Sequence, residues 1–256
     1  MFTDTHTHPY YTREDIPTPE EVIKAAIENK VDRMILPNVN IDSISIMKSL
    51  AAKFPDNIRL AMGLHPTEVK ENADDVLSII LDELGHVGEY VAIGEVGIDL
   101  YWDKTFRDKQ MDIFARQLEK ASETNLPVII HCRDGLDETL EILSDYKDVN
   151  RVFHSFGGTV VDVERILAQK DTSYFGINGI VTFKNSRLRE VITAIPKDNL
   201  LLETDSPYLA PVPFRGKTNQ SAYLPYIATT VAQTINLSVE EIARITRTNS
   251  ERLFGF

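Results

Sequence analysis

The feature that most constrains this chain is an alternation. Short apolar runs rich in β-branched residues are separated by longer amphipathic stretches with apolar residues at helical spacing. Strands are predicted at Met1–Thr7, Arg33–Pro37, Arg59–Gly63, Val91–Gly94, Pro127–His131, Arg151–His154, Ser173–Gly176 and Leu200–Thr204. Helix starts are legible between and after them. Thr18-Pro19-Glu20-Glu21 combines an N-cap threonine, a proline at the first helical position and a glutamate at the third, and Ser238-Val239-Glu240-Glu241 repeats the capping box. Eight strands, each followed by a helix, in 256 residues is the format of a (β/α)8 TIM barrel of the α/β class. The competing doubly wound sheet usually has fewer strands and often a Gly-rich first turn, which is absent here. No Pro/Gly/Ser linker, charge block or internal repeat interrupts the pattern, so residues 1–256 read as one domain.

A barrel places its chemistry at the C-terminal ends of its strands. His6 and His8 close the first strand, and with Phe2 and Asp4 at a spacing of two they would form one column. Glu95 follows the fourth strand in AIGEVGID, His131 ends the fifth in PVIIHCRD, His154 ends the sixth in RVFHSFGG, and Asp205 follows the eighth in LLLETDSP. Each has a bland reading alone: His131 as a satisfied core histidine, Glu95 as a turn residue, Asp205 as a cap for Ser206-Pro207. Taken together, those readings require independent coincidences of strand end and ligand type, in a chain with only six histidines. Imidazoles and carboxylates without sulfur suit Zn²⁺ or Mn²⁺, and Mg²⁺ where water completes the octahedron.

These motifs resemble the TatD family of metal-dependent deoxyribonucleases within the amidohydrolase superfamily. The similarity runs the full length, through GLHP (Gly63–Pro66), RGKTNQ (Arg215–Gln220) and the TxxNxxRLF ending (Thr246–Phe254). The resemblance implies two divalent metal ions: His6, His8 and Asp205 around the first, His131 and His154 around the second, and Glu95 bridging. It implies Asp205 and Glu95 as the catalytic carboxylates, Asp205 taking the proton of a water activated by the metals. The phosphotriesterase-like branch bridges its metals with a carboxylated lysine. No lysine stands at a strand end here, which favours the TatD branch.

Around this set, His65 in GLHP is read as a substrate-facing donor to a phosphate oxygen, against a loop histidine held by Pro66. Arg133 is placed to grip a phosphate bidentately, against an ion pair with Asp134 or Asp137. Arg215 and Lys217, in the loop after the eighth strand, are read as a local positive patch against a solvated loop. Tyr101 and Trp102 are candidates to stack on a base, against a hydrophobic lid under the following helix. His86 reads as a solvated helix end, Cys132 as packing, and Asp4 as an acceptor that orients a ligand histidine.

The function expected is a hydrolase of DNA phosphodiester bonds. A net charge of −12 argues against coating duplex and for single-stranded ends. The alternative is an amide or ester hydrolase with the same site, including deacylation of aminoacylated RNA. A metal-stabilised binding protein is disfavoured, because a structural zinc site is closed whereas this one faces loops. The single cysteine and the absence of a membrane-length apolar run or an N-terminal signal pattern set the expectation of a cytoplasmic enzyme without membrane contact.

Overall fold

The computed structural model describes residues 1–11, 17–85 and 88–256. His86 therefore lies outside the described residues. Eight parallel strands follow one another in sequence order: β1 (Phe2–Asp4), β2 (Val31–Pro37), β3 (Ile58–Met62), β4 (Tyr90–Asp99), β5 (Val128–Arg133), β6 (Arg151–Phe153), β7 (Tyr174–Ile177) and β8 (Leu200–Leu202). The seam between β8 and β1 is held by Thr5 N–H donating to Leu202 O (3.1 Å), Asp205 N–H donating to His6 O (2.9 Å) and a parallel bridge between Thr7 and Ser206. The ring is the (β/α)8 barrel the alternation predicts.

Helices lie between the strands: α1 (Pro19–Glu28), α2 (Ile41–Lys53), α3 (Ala73–Glu83), α4 (Arg107–Thr124), α5 (Leu136–Leu143), α6 (Val160–Gln169) and α7 (Leu188–Ile192), with α8 (Leu224–Ile235) and α9 (Val239–Phe254) after β8. The capping boxes at Thr18/Glu21 and Ser238/Glu241 both form. A third, Thr159/Asp162, starts α6 with the shorter aspartate in the glutamate's place.

Strand alternation divides the core in two. Leu36, Leu60, Ile93, Ile130, Phe153, Phe175 and Leu202 belong to the layer between strands and helices. Ile35, Ala61, Ala92, Ile129, Val152, Tyr174 and Leu201, one from each of β2–β8, fill the barrel itself and meet Leu253 and Phe254 of α9 at its floor. Two residues further along, the same inward column reaches His131 above Ile129, His154 above Val152 and Glu203 above Leu201. The apolar plug of the barrel is thus the base on which the polar cluster stands.

Gly176 occupies the corresponding place above Tyr174. A Cβ there would come within 2.0 Å of Glu203 Oε2, so the glycine makes room for a fully buried carboxylate. Gly176→Ala is expected to destabilise the protein by about 1–3 kcal/mol, the usual cost of overpacking. A denaturation midpoint unchanged from wild type would mean that Glu203 can move aside freely.

Three local features differ from the sequence expectations. β1 stops at Asp4 and the chain bends at Thr5–His6, so the column of Phe2, Asp4, His6 and His8 is broken. Phe2 packs in the strand–helix layer, and Asp4 accepts from Thr204 N–H (2.9 Å), Thr204 Oγ1 (2.6 Å) and the backbone N–H of His6 (3.3 Å). Asp4 therefore fixes the β8 loop and touches no imidazole, contrary to its expected role. Thirdly, β4 runs on to Asp99, so Glu95 lies inside a strand instead of after it.

Candidate metal centre

A β-bulge aims Glu95. β4 pairs Ile93 with Val128 but Val96 with Ile130, three residues against two, and the register shift falls at Gly94–Glu95. Simple alternation from Ala92 would turn Glu95 outward; the extra residue turns it into the barrel. There it becomes the hub of the cluster, almost wholly buried. Its Oε1 lies 2.7 Å from His154 Nε2, 2.8 Å from His131 Nδ1 and 3.2 Å from His65 Nε2. Its Oε2 lies 3.1 Å from His6 Nε2 and 3.8 Å from His8 Nε2. Asp205 Oδ1 stands 3.9 Å from His6 Nε2 and 3.8 Å from His8 Nε2. The structure thus brings His6, His8, Glu95, His131, His154 and Asp205 together from separate stretches of the chain.

Neighbours fix which ring nitrogens are free. Tyr10 Oη donates to Pro37 O (2.5 Å), so it accepts from His8 Nδ1 (2.6 Å) and leaves the His8 Nε2 lone pair facing the cluster. His131 Nε2 donates to Asp99 Oδ2 (2.9 Å), which leaves Nδ1 facing Glu95. Glu203 lies 3.6 Å from His154 Nδ1 and favours a proton there, which leaves Nε2 as the nitrogen that faces Glu95; its Oε1 also accepts from Ser155 N–H (2.5 Å). His65 is the reverse case. Thr67 N–H donates to His65 Nδ1 (3.1 Å), so the proton sits on Nε2 and His65 faces the cluster as a donor.

Charge follows the same geometry. Burial works against ionised Glu95, yet His154, His65 and His6 outweigh it and hold the carboxyl well below its ordinary range. Burial also disfavours charged His154, but Glu95 and Glu203 raise it well above the ordinary histidine value. Burial, followed by neighbouring imidazoles, lowers His8, and burial lowers His6 and His65 as well. Asp205 is pushed up to about 8, chiefly by burial.

Do these residues fit a divalent metal? The Nε2 atoms of His6 and His8 are 3.0 Å apart, and the His8 nitrogen has no proton to share. Lone pairs crowded in this way need a cation or protons between them. Oxygen and nitrogen donors gather within 4.8 Å of one another in the triads His6–His8–Asp205, His6–Glu95–His154 and His65–Glu95–His131. The first two can offer lone pairs once the protons held by Asp205 and His154 are displaced; in the third His65 presents a proton. The donor set fits Zn²⁺ or Mn²⁺.

The cluster opens into a cavity of about 1070 Å³ lined also by His65, Trp102 and Arg133. Arg133 forms no ion pair among the described residues: Asp137 is taken by Arg165 (2.5 Å). Its guanidinium instead sits 3.7 Å from the centre of the Tyr101 ring. Trp102 is 72% exposed, so it is no lid beneath α4. Arg215 stacks on Phe183 at 3.7 Å, away from the cavity lining, and Lys217 lies 5.9 Å from the Phe214 ring. Cys132 packs against the strand–helix core and contacts Thr139, and burial raises its thiol to about 11.

Three functional neighbours escaped sequence reasoning: Tyr10, Asp99 and Glu203. Two had a readable signal. Glu203 directly follows the apolar run of β8, and Asp99 is the one further carboxylate in GEVGID.

The family model for TatD-related DNases matches residues 3–255. A Bacillus subtilis protein described as the uncharacterized metal-dependent hydrolase YabD is 37% identical over 99% of this chain and 99% of its own length. The Escherichia coli protein YcfH, described in the same words, is 37% identical over 78% of this chain and 74% of its own. Among solved structures, the TatD homolog YjjV of Escherichia coli superposes with a TM-score of 0.91 at 27% identity, covering 100% of this chain and 98% of that one. With the family model spanning the barrel and relatives matching end to end, this chain belongs to the TatD family of metal-dependent hydrolases.

Proposed function

We propose that the protein is a TatD-like deoxyribonuclease that cleaves phosphodiester bonds at single-stranded DNA ends, using two divalent metal ions. The observation that carries this reading is the six-residue donor cluster around Glu95, open to a cavity that also presents His65 and Arg133, which has no ion pair among the described residues. His6, His8 and Asp205 would hold one ion, His131 and His154 the other, and Glu95 both. Bound there, the ions supply Lewis acidity and make a water easier to deprotonate.

The chain's own residues do the rest. Asp205 turns Oδ1 towards His6 and His8, leaving Oδ2 to take the proton of the attacking water. As the water oxygen bonds to phosphorus, the opposite P–O ester bond breaks and the leaving oxygen takes a proton from solvent, while Asp205 later returns its own to solvent. His65 Nε2–H is aimed to donate to a non-bridging phosphate oxygen, and Arg133 offers further donors at the cavity wall. Tyr10, Asp99 and Glu203 hold the imidazoles in the tautomers this requires. Arg215, outside the cavity lining, is left at most a peripheral contact with a longer strand. Among the described residues no helix is long and apolar enough to cross a membrane, in keeping with a proposed cytoplasmic site of action.

One observation favours the second reading, an amide or ester hydrolase that includes deacylation of aminoacylated RNA. Glu68 and Asp134 line the cavity with no ion pair among the described residues and suit a substrate carrying an amine. Metal-loaded protein should be tested side by side on end-labelled single-stranded oligonucleotides and on aminoacyl esters and amides. Shortening of the oligonucleotides is expected; acyl turnover without phosphodiester cleavage would reverse the assignment. Because Arg165 on the wall is held by Asp137, which leaves Arg133 as the arginine able to meet a phosphate there, binding should involve few phosphates. The log–log dependence of affinity on salt should then have a slope of about −2, from about −0.7 per phosphate. A much steeper slope would require an extended basic groove.

A further inference from the structure

We propose that Tyr101, Trp102 and Arg133 form a stacking subsite that receives an unpaired nucleobase next to the scissile phosphodiester, an inference that rests on the nuclease reading above. Large apolar side chains in this fold are mostly buried, yet Tyr101 is 53% and Trp102 72% exposed. Their rings meet edge to face, with centroids 4.9 Å apart. The Arg133 guanidinium covers one face of Tyr101 at 3.7 Å and stands 5.3 Å from Trp102. A planar cation stacked on one ring beside an exposed indole presents a flat surface that suits a base and is indifferent to its identity.

The platform is tied to the cluster through one carboxylate. Asp99 Oδ2 accepts from His131 Nε2 (2.9 Å), while Oδ1 accepts the backbone N–H of Tyr101 (3.0 Å) and of Trp102 (3.4 Å). Gln110 clamps the other side of Asp99, accepting from its N–H (2.9 Å) and donating to its carbonyl (3.1 Å). The aromatic pair is therefore anchored two hydrogen bonds from an imidazole of the cluster. Trp102 and Arg133 line the same cavity as that imidazole.

Charge explains why such a subsite is needed. With a chain charge of −12 and carboxylates on the cavity wall, a strand cannot be gripped through many phosphates. Stacking supplies affinity without paired charge. Bases inside a duplex are unavailable to it, so the subsite itself selects for single strands and frayed ends.

Trp102 is the chain's only tryptophan, so its fluorescence reports this site alone. Metal-loaded protein should be titrated with thymidine monophosphate, with a short oligothymidylate and with an abasic oligomer of equal length. Fluorescence should be quenched by the two base-bearing ligands and unchanged by the abasic one. Tyr101→Ala should raise KM for the oligothymidylate by about 5- to 150-fold, the fold-change that corresponds to stacking one base, and raise it much less for the abasic oligomer, where only the loss of the ring under Arg133 is felt. Equal handling of both oligomers by wild type, or equal damage to both by Tyr101→Ala, would overturn the subsite while leaving the nuclease reading intact. If no phosphodiester is cleaved, the nuclease reading fails, and thymidine monophosphate still decides the subsite: no quenching overturns it.

Discussion

Asp205→Asn is expected to fold, to retain metal at saturating concentration, and to lose about 10²–10⁴-fold in rate, the usual worth of general-base assistance. The fold should survive because the position is left-handed, with φ of 55°, a conformation asparagine tolerates as readily as aspartate. The backbone bonds that hold the position, its N–H to His6 O (2.9 Å) and its carbonyl from Tyr208 N–H (3.0 Å), do not involve the side chain. Asparagine keeps an oxygen for His6 and His8 to share with an ion but has no second carboxylate oxygen to take a proton. Metal content and rate must be measured on the same sample, because weaker binding and slower chemistry otherwise look alike. Near-normal turnover at full occupancy would remove Asp205 from proton transfer. A dead protein that cannot be loaded would leave it a ligand only.

The barrel was legible because two periodicities, close to two and to 3.6, alternate along the chain with turn signals between them. The strand ends were legible for the same reason, and His131 and His154 sit where alternation from Ile129 and Val152 puts them. Glu95 was found by residue type at an approximate strand end, but what aims it is a bulge that no periodicity encodes. Asp4 was misjudged because extending β1 to Thr7 assumed a straight strand, whereas the chain bends after Asp4 to close against β8. Asp99 and Glu203 act through contacts across strands distant in sequence, Asp99 with His131 and Glu203 with His154, which one sequence does not pair. From sequence Trp102 reads equally as a lid, because an exposed indole breaks the general rule of burial.

Metal affinity is expected to rise about 100-fold between pH 6 and pH 8. In the metal-free protein Glu95 is already ionised, and His6, His8 and His65 are already neutral, since their shifts favour those forms. Asp205, His131 and His154 are the groups that carry protons; burial works against a charged His131, but Asp99 and Glu95 outweigh it. Asp205 is raised to about 8 by burial, with Glu95 and Glu203 adding to the effect and His154 opposing it. His154 is raised by Glu95 and Glu203 despite burial. An ion must displace these protons to reach the lone pairs, so each pH unit below about 8 costs about tenfold in affinity through Asp205 alone, and His154 steepens the dependence.

Stability moves the other way in the metal-free chain. Asp205, His131 and His154 all bind protons more tightly folded than unfolded. The stability drawn from Asp205 therefore declines as pH rises from its ordinary range to about 8, and that from His154 is lost as pH rises through its raised pKa. The stabilisation conferred by a fixed excess of metal should accordingly widen with pH, adding about 2.7 kcal/mol at a concentration of 100 Kd and about 4.1 kcal/mol at 1000 Kd. Competition titrations with Zn²⁺ and Mn²⁺, paired with melting curves of stripped and loaded protein from pH 6 to 8, measure both slopes. An affinity flat over that interval would mean that no proton leaves Asp205 or His154 when metal arrives, and the ligand set built around them would have to be abandoned.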